Sequence, residues 1–310
     1  MTTSLLAHEP QVPFSPLRLV TETSLLQWPA LILTVVAVIY LIGVQRLQAR
    51  GDRWPVGRTA AFLAGGLGSV GLALLSGLAA YDDTLFSAHM VQHMILIMVS
   101  PIFLALGAPV TLALRTLPAG PRRFLLAVLH SRPASVLAFP LVGFAFFTLS
   151  SYALYFTGWY EVTLRHPLLH EVMHAHFLTV GCLFFWPLLG LDPVPGRVAY
   201  PFRAMLMFVS LPFHAFLGLT IMQSARVIAG DYYATSAPGI DHLADQEVGG
   251  GLIWAAGDLV ALLMLGVLVW QWMRASEREA AREDRRLDRL EAQAAIASGA
   301  PPSPRPAEQR

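Results

Sequence analysis

The stretch SAHMVQHMILIMVSP, residues 87–101, places ionisable side chains inside a strongly apolar segment. His89 and His93 are four residues apart, and so are Met90 and Met94, so each pair lies along one face of a helix. An imidazole in lipid is costly, and ionisable groups within membrane helices usually face the bundle interior and carry function. The stretch therefore predicts a functional site whose chemistry depends on the ligands that other helices bring to it.

Three further apolar segments carry ionisable side chains. HPLLHEVMHAHF contributes His170 and His174, again four residues apart, FHAFLGL contributes His214, and IWAAGDLV contributes Asp258. The chain has a single cysteine, Cys182, which excludes a disulfide framework and a soft-metal site built from cysteines. The ligands available to this site are thus imidazole, carboxylate and thioether.

The composition indicates a membrane protein. Hydrophobic residues make up 55% of the 310 residues and charged residues only 13%, against roughly 25% charged in soluble domains. Several apolar runs reach the ~20 residues that a helix needs to cross the hydrocarbon core. We predict an all-α polytopic membrane protein with seven transmembrane helices at about residues 25–45, 58–80, 86–114, 134–156, 167–190, 201–225 and 249–273, and a short interfacial segment at 119–132.

The distribution of arginine predicts the orientation of these helices. Arginines concentrate in the first, third and fifth connections, at Arg46, Arg50, Arg53, Arg58, Arg115, Arg122, Arg123, Arg132, Arg197 and Arg203. The positive-inside rule then places the N-terminus outside and the C-terminus in the cytoplasm. We expect an extracytoplasmic segment 1–24, a seven-helix domain 25–273, and a charged cytoplasmic tail 274–310 that is first helical and then disordered.

This orientation gives the polar membrane residues a common depth. At 1.5 Å per residue, His89 and His93 lie roughly 5 to 10 Å below the outer end of the third helix, and His214 lies about 16 Å deep. The residues predicted to share the outer half of the bilayer are His89, His93, His170, His174, His214 and Asp258. Five histidines at matched depth on three helices, with an aspartate on a fourth, indicate one shared metal, haem or proton site.

The residue types favour copper. Neutral imidazole binds zinc, copper, iron and nickel, and thioether suits copper(I). Met90 and Met94 lie about 100° around the helix from the histidine pair, where they could relay copper(I) or fill the core. A histidine and methionine site for copper(I), open to an oxidising compartment, is the interpretation we favour.

Two other interpretations stay open. HEVMH, residues 170–174, fits the H-E-x-x-H pattern in which two histidines bind zinc and the glutamate acts as general base, so an intramembrane zinc metalloprotease is one alternative. The glycine and third histidine of the extended zincin motif are missing after His174. A b-type haem held by His93 with His174 or His214 is the other alternative.

Four segments of the chain resemble one known family, the CtaG-type cytochrome c oxidase assembly factors associated with caa3-type oxidases. They are SAHMVQHMILIMVSPIFLALGAPVTLALR, HPLLHEVMHAHFLTVGCLFFWPLLGLDPVP, FHAFLGLTIM and GGGLIWAAGDL, within about residues 85–260. The first is the most specific, because two histidines near a helix start are followed by a proline and then by Leu-Gly-Ala-Pro.

The resemblance implies a seven-helix protein of the bacterial inner (plasma) membrane that helps to mature a haem–copper oxidase, most directly by supplying copper to its catalytic subunit. The residues that match by position are His89, His93, His170, His174 and His214, with Asp258 at an acidic position of the last segment. The implied partners are an oxidase subunit docked alongside and an extracytoplasmic copper chaperone, with no nucleic acid. Such a protein makes and breaks no bond in a substrate, so we do not expect an enzyme.

Overall fold

The computed structural model describes residues 28–193, 195, 198–236 and 239–298, and within these ranges every regular element is a helix. In chain order they are α1 (Trp28–Ala49), α2 (Val56–Tyr81), α3 (Phe86–Thr116), α4 (Ala119–Leu129), α5 (Arg132–Leu137), α6 (Pro140–Phe156), α7 (Trp159–Arg165), α8 (Pro167–Leu189), α9 (Tyr200–Met222), α10 (Gly230–Ser236) and α11 (His242–Ser298). The predicted N-terminal segment 1–24, Arg197 and the end of the predicted tail, 299–310, lie outside the described residues.

Two of the helices, α2 and α3, change geometry along their length. In α2 a π-helical segment occupies Ala61–Leu67, and the helix is interrupted at residues 76–77. In α3 a π-helical segment occupies Ile95–Val99, two residues after His93. Single π turns within α-helices are frequent at functional sites, because the extra residue changes the face that the following side chains present.

The lengths and the surface of the helices suit a multi-pass membrane protein. Six described helices, α1, α2, α3, α8, α9 and α11, are long and apolar enough to cross a membrane. The pair α6 and α7 passes the same test only if it counts as one span, bent by 75°. Large apolar side chains such as Leu31, Ile39 and Leu263 are more than 60% exposed, as expected of surfaces that contact lipid. The all-helical membrane class is confirmed, with six candidate spans or seven with the bent pair.

The fourth predicted span, 134–156, is not one continuous helix. Phe139 has an extended backbone, and Pro140 begins a new helix, where its fixed φ is favourable and its missing N–H costs nothing. The interruption separates α5 from α6 and leaves α6 with 17 residues. The last helix is longer than the predicted 249–273, because it begins at His242 and continues through the charged segment to Ser298.

Close packing of α3 against α8 sets the positions of the histidines. A Cβ atom at Gly181 of α8 would overlap the carbonyl oxygen of Ile97 in the π-helical segment, so only glycine permits this backbone contact. One turn earlier, the ring of His93 lies over that of Phe177, with centroids 4.1 Å apart. The two helices therefore run parallel, and the face of α3 that carries His89 and His93 lies against the histidine-bearing face of α8.

Candidate metal centre

Four side chains from three parts of the chain converge at one end of the bundle. Asp82 lies in the connection between α2 and α3, His89 lies on α3, and His170 and His174 lie on α8. Each offers one potential ligand atom, and the four atoms all lie within 4.8 Å of one another. Asp82, His89 and His174 are buried, and His170 is partly buried. We refer to these four residues as the aspartate–histidine cluster.

Asp82 is the centre of the cluster's geometry. Its Oδ2 atom lies 3.5 Å from His170 Nε2 and 3.3 Å from His174 Nε2. The ring centroids of His170 and His174 are 4.6 Å apart, and those of His89 and His170 are 6.1 Å apart. The four-residue spacing on α8 explains the pairing, because residues i and i+4 lie above one another on the same helical face.

A cavity of about 210 Å³ opens beside the cluster. Asp82, His170 and His174 line it, together with Asp83, Gln92 and Glu171. The Oε2 atom of Glu171 lies 3.9 Å from His174 Nδ1. Asp83 Oδ1, His89 Nδ1 and Gln92 Oε1 are buried and have no hydrogen-bond partner among the described residues. Buried polar atoms are normally satisfied, so this concentration of unsatisfied lone pairs fits a cation bound between them.

The two carboxylates before α3 have opposite electrostatic environments. Burial alone would raise the pKa of Asp82, but His170 and His174 beside it hold that pKa well below its usual range. Burial, and next the charge of Asp82, raises the pKa of Asp83 to about 7. The histidines therefore favour the charged form of Asp82, whereas burial and the neighbouring charge favour the protonated form of Asp83.

The hydrogen bonds at the N-terminus of α3 are accepted by Asp245 and not by Asp82. The Ser87 backbone N–H donates to Asp245 Oδ2 at 3.1 Å, and the Ser87 hydroxyl donates to Asp245 Oδ1. Asp245 belongs to α11, so this helix holds the first turn of α3 in place. A negative side chain at a helix N-terminus also interacts favourably with the helix dipole. Because Asp245 satisfies this end of α3, Asp82 can point its carboxylate at the histidines instead.

His93 was predicted as a ligand but lies outside the cluster. Its ring packs on Phe177, and its Nδ1 atom is 2.7 Å from the Tyr155 hydroxyl. The same hydroxyl is 3.2 Å from His89 Nε2. The bend between α6 and α7 brings Tyr155 and Tyr160 against His89, whose ring centroid is 4.8 Å from that of Tyr160. His93 is thus connected to the cluster through Tyr155.

His214 and Asp258 also lie outside the cluster. His214 is buried and packs its ring on Phe147, with centroids 5.2 Å apart. A Cβ atom at Gly257 of α11 would lie 2.5 Å from His214 Cδ2, so the histidine packs directly on that helix. His214 Nε2 and Asp258 Oδ1 are buried without a hydrogen-bond partner among the described residues. Their predicted roles as ligands stay predictions.

Met90 and Met94, also predicted as ligands, both face α11. A Cβ atom at Gly249 would lie 3.1 Å from Met90 Cγ, and one at Gly257 would lie 3.4 Å from Met94 Cε. Both methionine side chains therefore pack against glycines of α11, and both are buried. Their copper relay role likewise stays a prediction.

Asp82 is the member of the cluster that the sequence analysis missed. Asp82 lies in the connection between the second and third predicted helices, outside the apolar segments that supplied the candidate ligands. A usable signal exists, because the Asp82–Asp83 pair lies at the membrane surface seven residues before His89. Carboxylates commonly accompany imidazoles as metal ligands, which would have justified including the pair.

The fold and this cluster define an all-helical, multi-pass membrane protein with a buried group of one carboxylate and three imidazoles. Residues 38–275 match the family described as cytochrome c oxidase caa3 assembly factor (Caa3_CtaG). The chain belongs to this family, which confirms the resemblance found in its histidine-bearing segments. All four residues of the aspartate–histidine cluster fall within the matched range.

Relatives of the chain occur in mycobacteria. Uncharacterized proteins of Mycobacterium bovis and Mycobacterium tuberculosis are each 41% identical to it over 263 residues, and one of Mycobacterium leprae is 39% identical over the same length. The matched region covers 82% of this chain but 40% of each relative, so the chain spans less than half the length of these relatives. No solved structure matches the chain.

Proposed function

We propose that the protein binds copper at the aspartate–histidine cluster and helps to insert it into the catalytic subunit of a cytochrome c oxidase. The observation that carries the proposal is the convergence of four potential ligand atoms within 4.8 Å in a member of an oxidase assembly factor family. Copper is here the cargo of the protein. An assembly factor of this kind needs to bind and release an ion and needs no catalytic step.

The donor chemistry favours copper over the other first-row metals. Imidazole suits copper, zinc, iron and nickel, and for a given site the affinity of divalent ions rises to a maximum at copper. One carboxylate with three imidazoles places a single negative charge beside the ion, which lowers the cost of a buried divalent cation. Copper(I), which the methionine pattern predicts, would instead favour thioether ligands. The oxidation state of the bound copper therefore distinguishes the aspartate–histidine cluster from a site that includes methionine.

The orientation that we propose places the cluster on the outer side of the membrane. Arg50 donates to the carbonyl of Arg115 at 3.1 Å, and Arg115 pairs with Asp52 at 3.3 Å, at the end of α3 opposite Asp82. The positive-inside rule assigns this arginine-bearing end to the cytoplasm. Counting α6 and α7 as one bent span gives seven spans, an outside N-terminus and a cytoplasmic C-terminus. The proposed partners, an oxidase subunit and an extracytoplasmic copper chaperone, would then meet the cluster from outside a bacterial plasma membrane.

Complementation tests this function. In a bacterium that lacks its own assembly factor, the wild-type chain should restore copper content and activity to the oxidase, whereas the H170A/H174A variant should not. H176A is a matched control, because His176 lies on the same helix but is exposed outside the cluster. Restoration by H170A/H174A to the wild-type level would contradict the proposal, provided that all three proteins accumulate equally in the membrane.

One observation favours a second candidate, the zinc metalloprotease. Glu171 lines the same cavity as His170 and His174, as the general base of an H-E-x-x-H site would. The E171Q variant separates the two functions, because glutamine preserves shape but cannot act as a base. Complementation that survives E171Q supports copper delivery. Bound zinc together with proteolysis that E171Q abolishes would support the protease, and a haem absorption band in the pure protein would support a b-type haem.

A further inference from the structure

The Tyr155 hydroxyl lies between two histidine rings at the end of α6. It is 2.7 Å from His93 Nδ1 and 3.2 Å from His89 Nε2. Tyr155 is 3% exposed and packs edge-on against Phe86, with ring centroids 6.0 Å apart. Among the described residues, the side-chain partners of this hydroxyl are the two imidazoles.

The proton inventory of these three groups allows two arrangements with neutral rings, since the hydroxyl can donate to either histidine and accept the N–H of the other. A phenol has one proton to donate and oxygen lone pairs that accept, and a neutral imidazole has one N–H donor and one acceptor nitrogen. The shorter contact is typical of an O–H donating to a ring nitrogen, so the hydroxyl donates to His93 Nδ1. It then accepts the N–H of His89 Nε2, which leaves the lone pair of His89 on Nδ1.

The other ring nitrogen of His89, Nδ1, is available as a ligand. His89 Nδ1 is buried and has no hydrogen-bond partner among the described residues. His89 is also the member of the cluster contributed by α3, opposite the two histidines of α8. A histidine that binds a metal nearly always donates its other ring N–H to a fixed acceptor, which sets the ring orientation and makes the ligating nitrogen more basic.

We propose that Tyr155 is a positioning residue of the copper site: through its hydrogen bond to Nε2 it directs Nδ1 of His89 at the ion. The proposal rests on the proposed function, and it also gives His93 a role. His93 accepts the hydroxyl proton and so orients the phenol, while its packing on Phe177 keeps its own ring in place. His93 then acts on the metal through Tyr155 and His89 and is not itself a ligand.

The Y155F variant tests this role, because it keeps the ring and removes only the hydroxyl. In the full-length detergent-purified protein, titrated with Cu²⁺ against a competing chelator, we expect the Kd of Y155F to rise by about 10- to 100-fold. The electron paramagnetic resonance spectrum of bound Cu²⁺ should change as well, since the ligand geometry at His89 is altered. Y152F is the matched control, because Tyr152 lies one turn earlier on α6 and donates to the Phe213 carbonyl at 2.8 Å.

The results separate this proposal from the proposed function. If the wild type and Y155F bind Cu²⁺ equally tightly with the same spectrum, Tyr155 only packs, and the copper site stands without it. If the wild type binds no copper, both ideas fail. Should Y155F fold poorly, H93Q replaces it: a weakened Kd with an altered spectrum supports the positioning chain, and a wild-type Kd overturns it.

Discussion

Two buried aspartates lie at opposite ends of α3, and their surroundings differ. Asp192 accepts four hydrogen bonds: from the backbone N–H groups of Val110 and Thr111, from the Thr111 hydroxyl and from Trp186 Nε1, at 2.6 to 3.3 Å. Asp82 has two histidine nitrogens at 3.3 and 3.5 Å from one oxygen. Both carboxylates are almost fully buried, so exposure does not distinguish them.

The difference lies in what the partners can do. Every partner of Asp192 is a fixed donor, and together they tie the last segment of α3 to the connection after α8. The partners of Asp82 are imidazoles, which can bind a metal as well as hydrogen-bond, and unsatisfied lone pairs lie beside them. A carboxylate whose oxygens accept a full set of hydrogen bonds indicates a structural role. A carboxylate beside buried polar atoms that have no hydrogen-bond partner indicates a ligand site.

The largest expected effect is on stability at the Asp192 end. The D192A variant leaves Thr111 and Trp186 with buried donors and no acceptor, which should cost about 3 kcal/mol of unfolding free energy. A lower thermal midpoint of the purified protein measures it. Copper affinity of the folded fraction should stay within about twofold of wild type, because distant sites contribute independently. An unchanged midpoint would show that Asp192 does not have this structural role.

The reciprocal variant is D82N, at the cluster. It removes the negative charge from the centre of the site while preserving side-chain volume, and we expect the Kd for Cu²⁺ to rise by about 10- to 100-fold. The metal-free protein should be as stable as wild type or more so, because an incompletely compensated buried charge is costly. The D52N variant is the control, since Asp52 is an exposed carboxylate at the other end. Comparable weakening by D52N would count against a specific role for Asp82.

The smallest expected effect is at the methionines. Met90 and Met94 pack on α11, and changing both to leucine conserves volume. Each substitution should therefore lower the free energy of unfolding by less than about 1.5 kcal/mol. Titration of M90L/M94L with copper(I) and with copper(II) decides between packing and relay. If the variant binds each ion as tightly as the wild type does, the methionines only pack. If the variant loses affinity for copper(I) but not for copper(II), the predicted relay is supported.

The sequence was informative where a property is local. Hydropathy located the long apolar helices, and the four-residue spacing of His170 and His174 predicted that both would point the same way. Neither the break before Pro140 nor the bend after Phe156 follows from hydropathy, because both depend on a few backbone dihedrals. Equal depth in the membrane also does not bring six ionisable residues together, because it leaves their lateral positions in the bundle undetermined.

Tertiary contacts decided the rest of the site. His89 and His93 lie on the same helical face, yet His89 meets the cluster and His93 packs on Phe177, because α8 changes from histidine to phenylalanine along that contact. Asp82 could not be placed by periodicity, since it belongs to a connection and its direction depends on how α2 turns into α3. Sequence position can make such a residue a candidate ligand, but only a structure shows which way its side chain points.

Metal content measures the central claim most directly. The full-length protein, loaded with copper in detergent and freed of unbound ion, should retain about one copper per chain, as one cluster of four donors among the described residues implies. H176A should retain the same amount, and H170A/H174A should retain almost none while keeping the wild-type elution profile. A wild type without copper, or an undiminished copper content in H170A/H174A, would contradict the account.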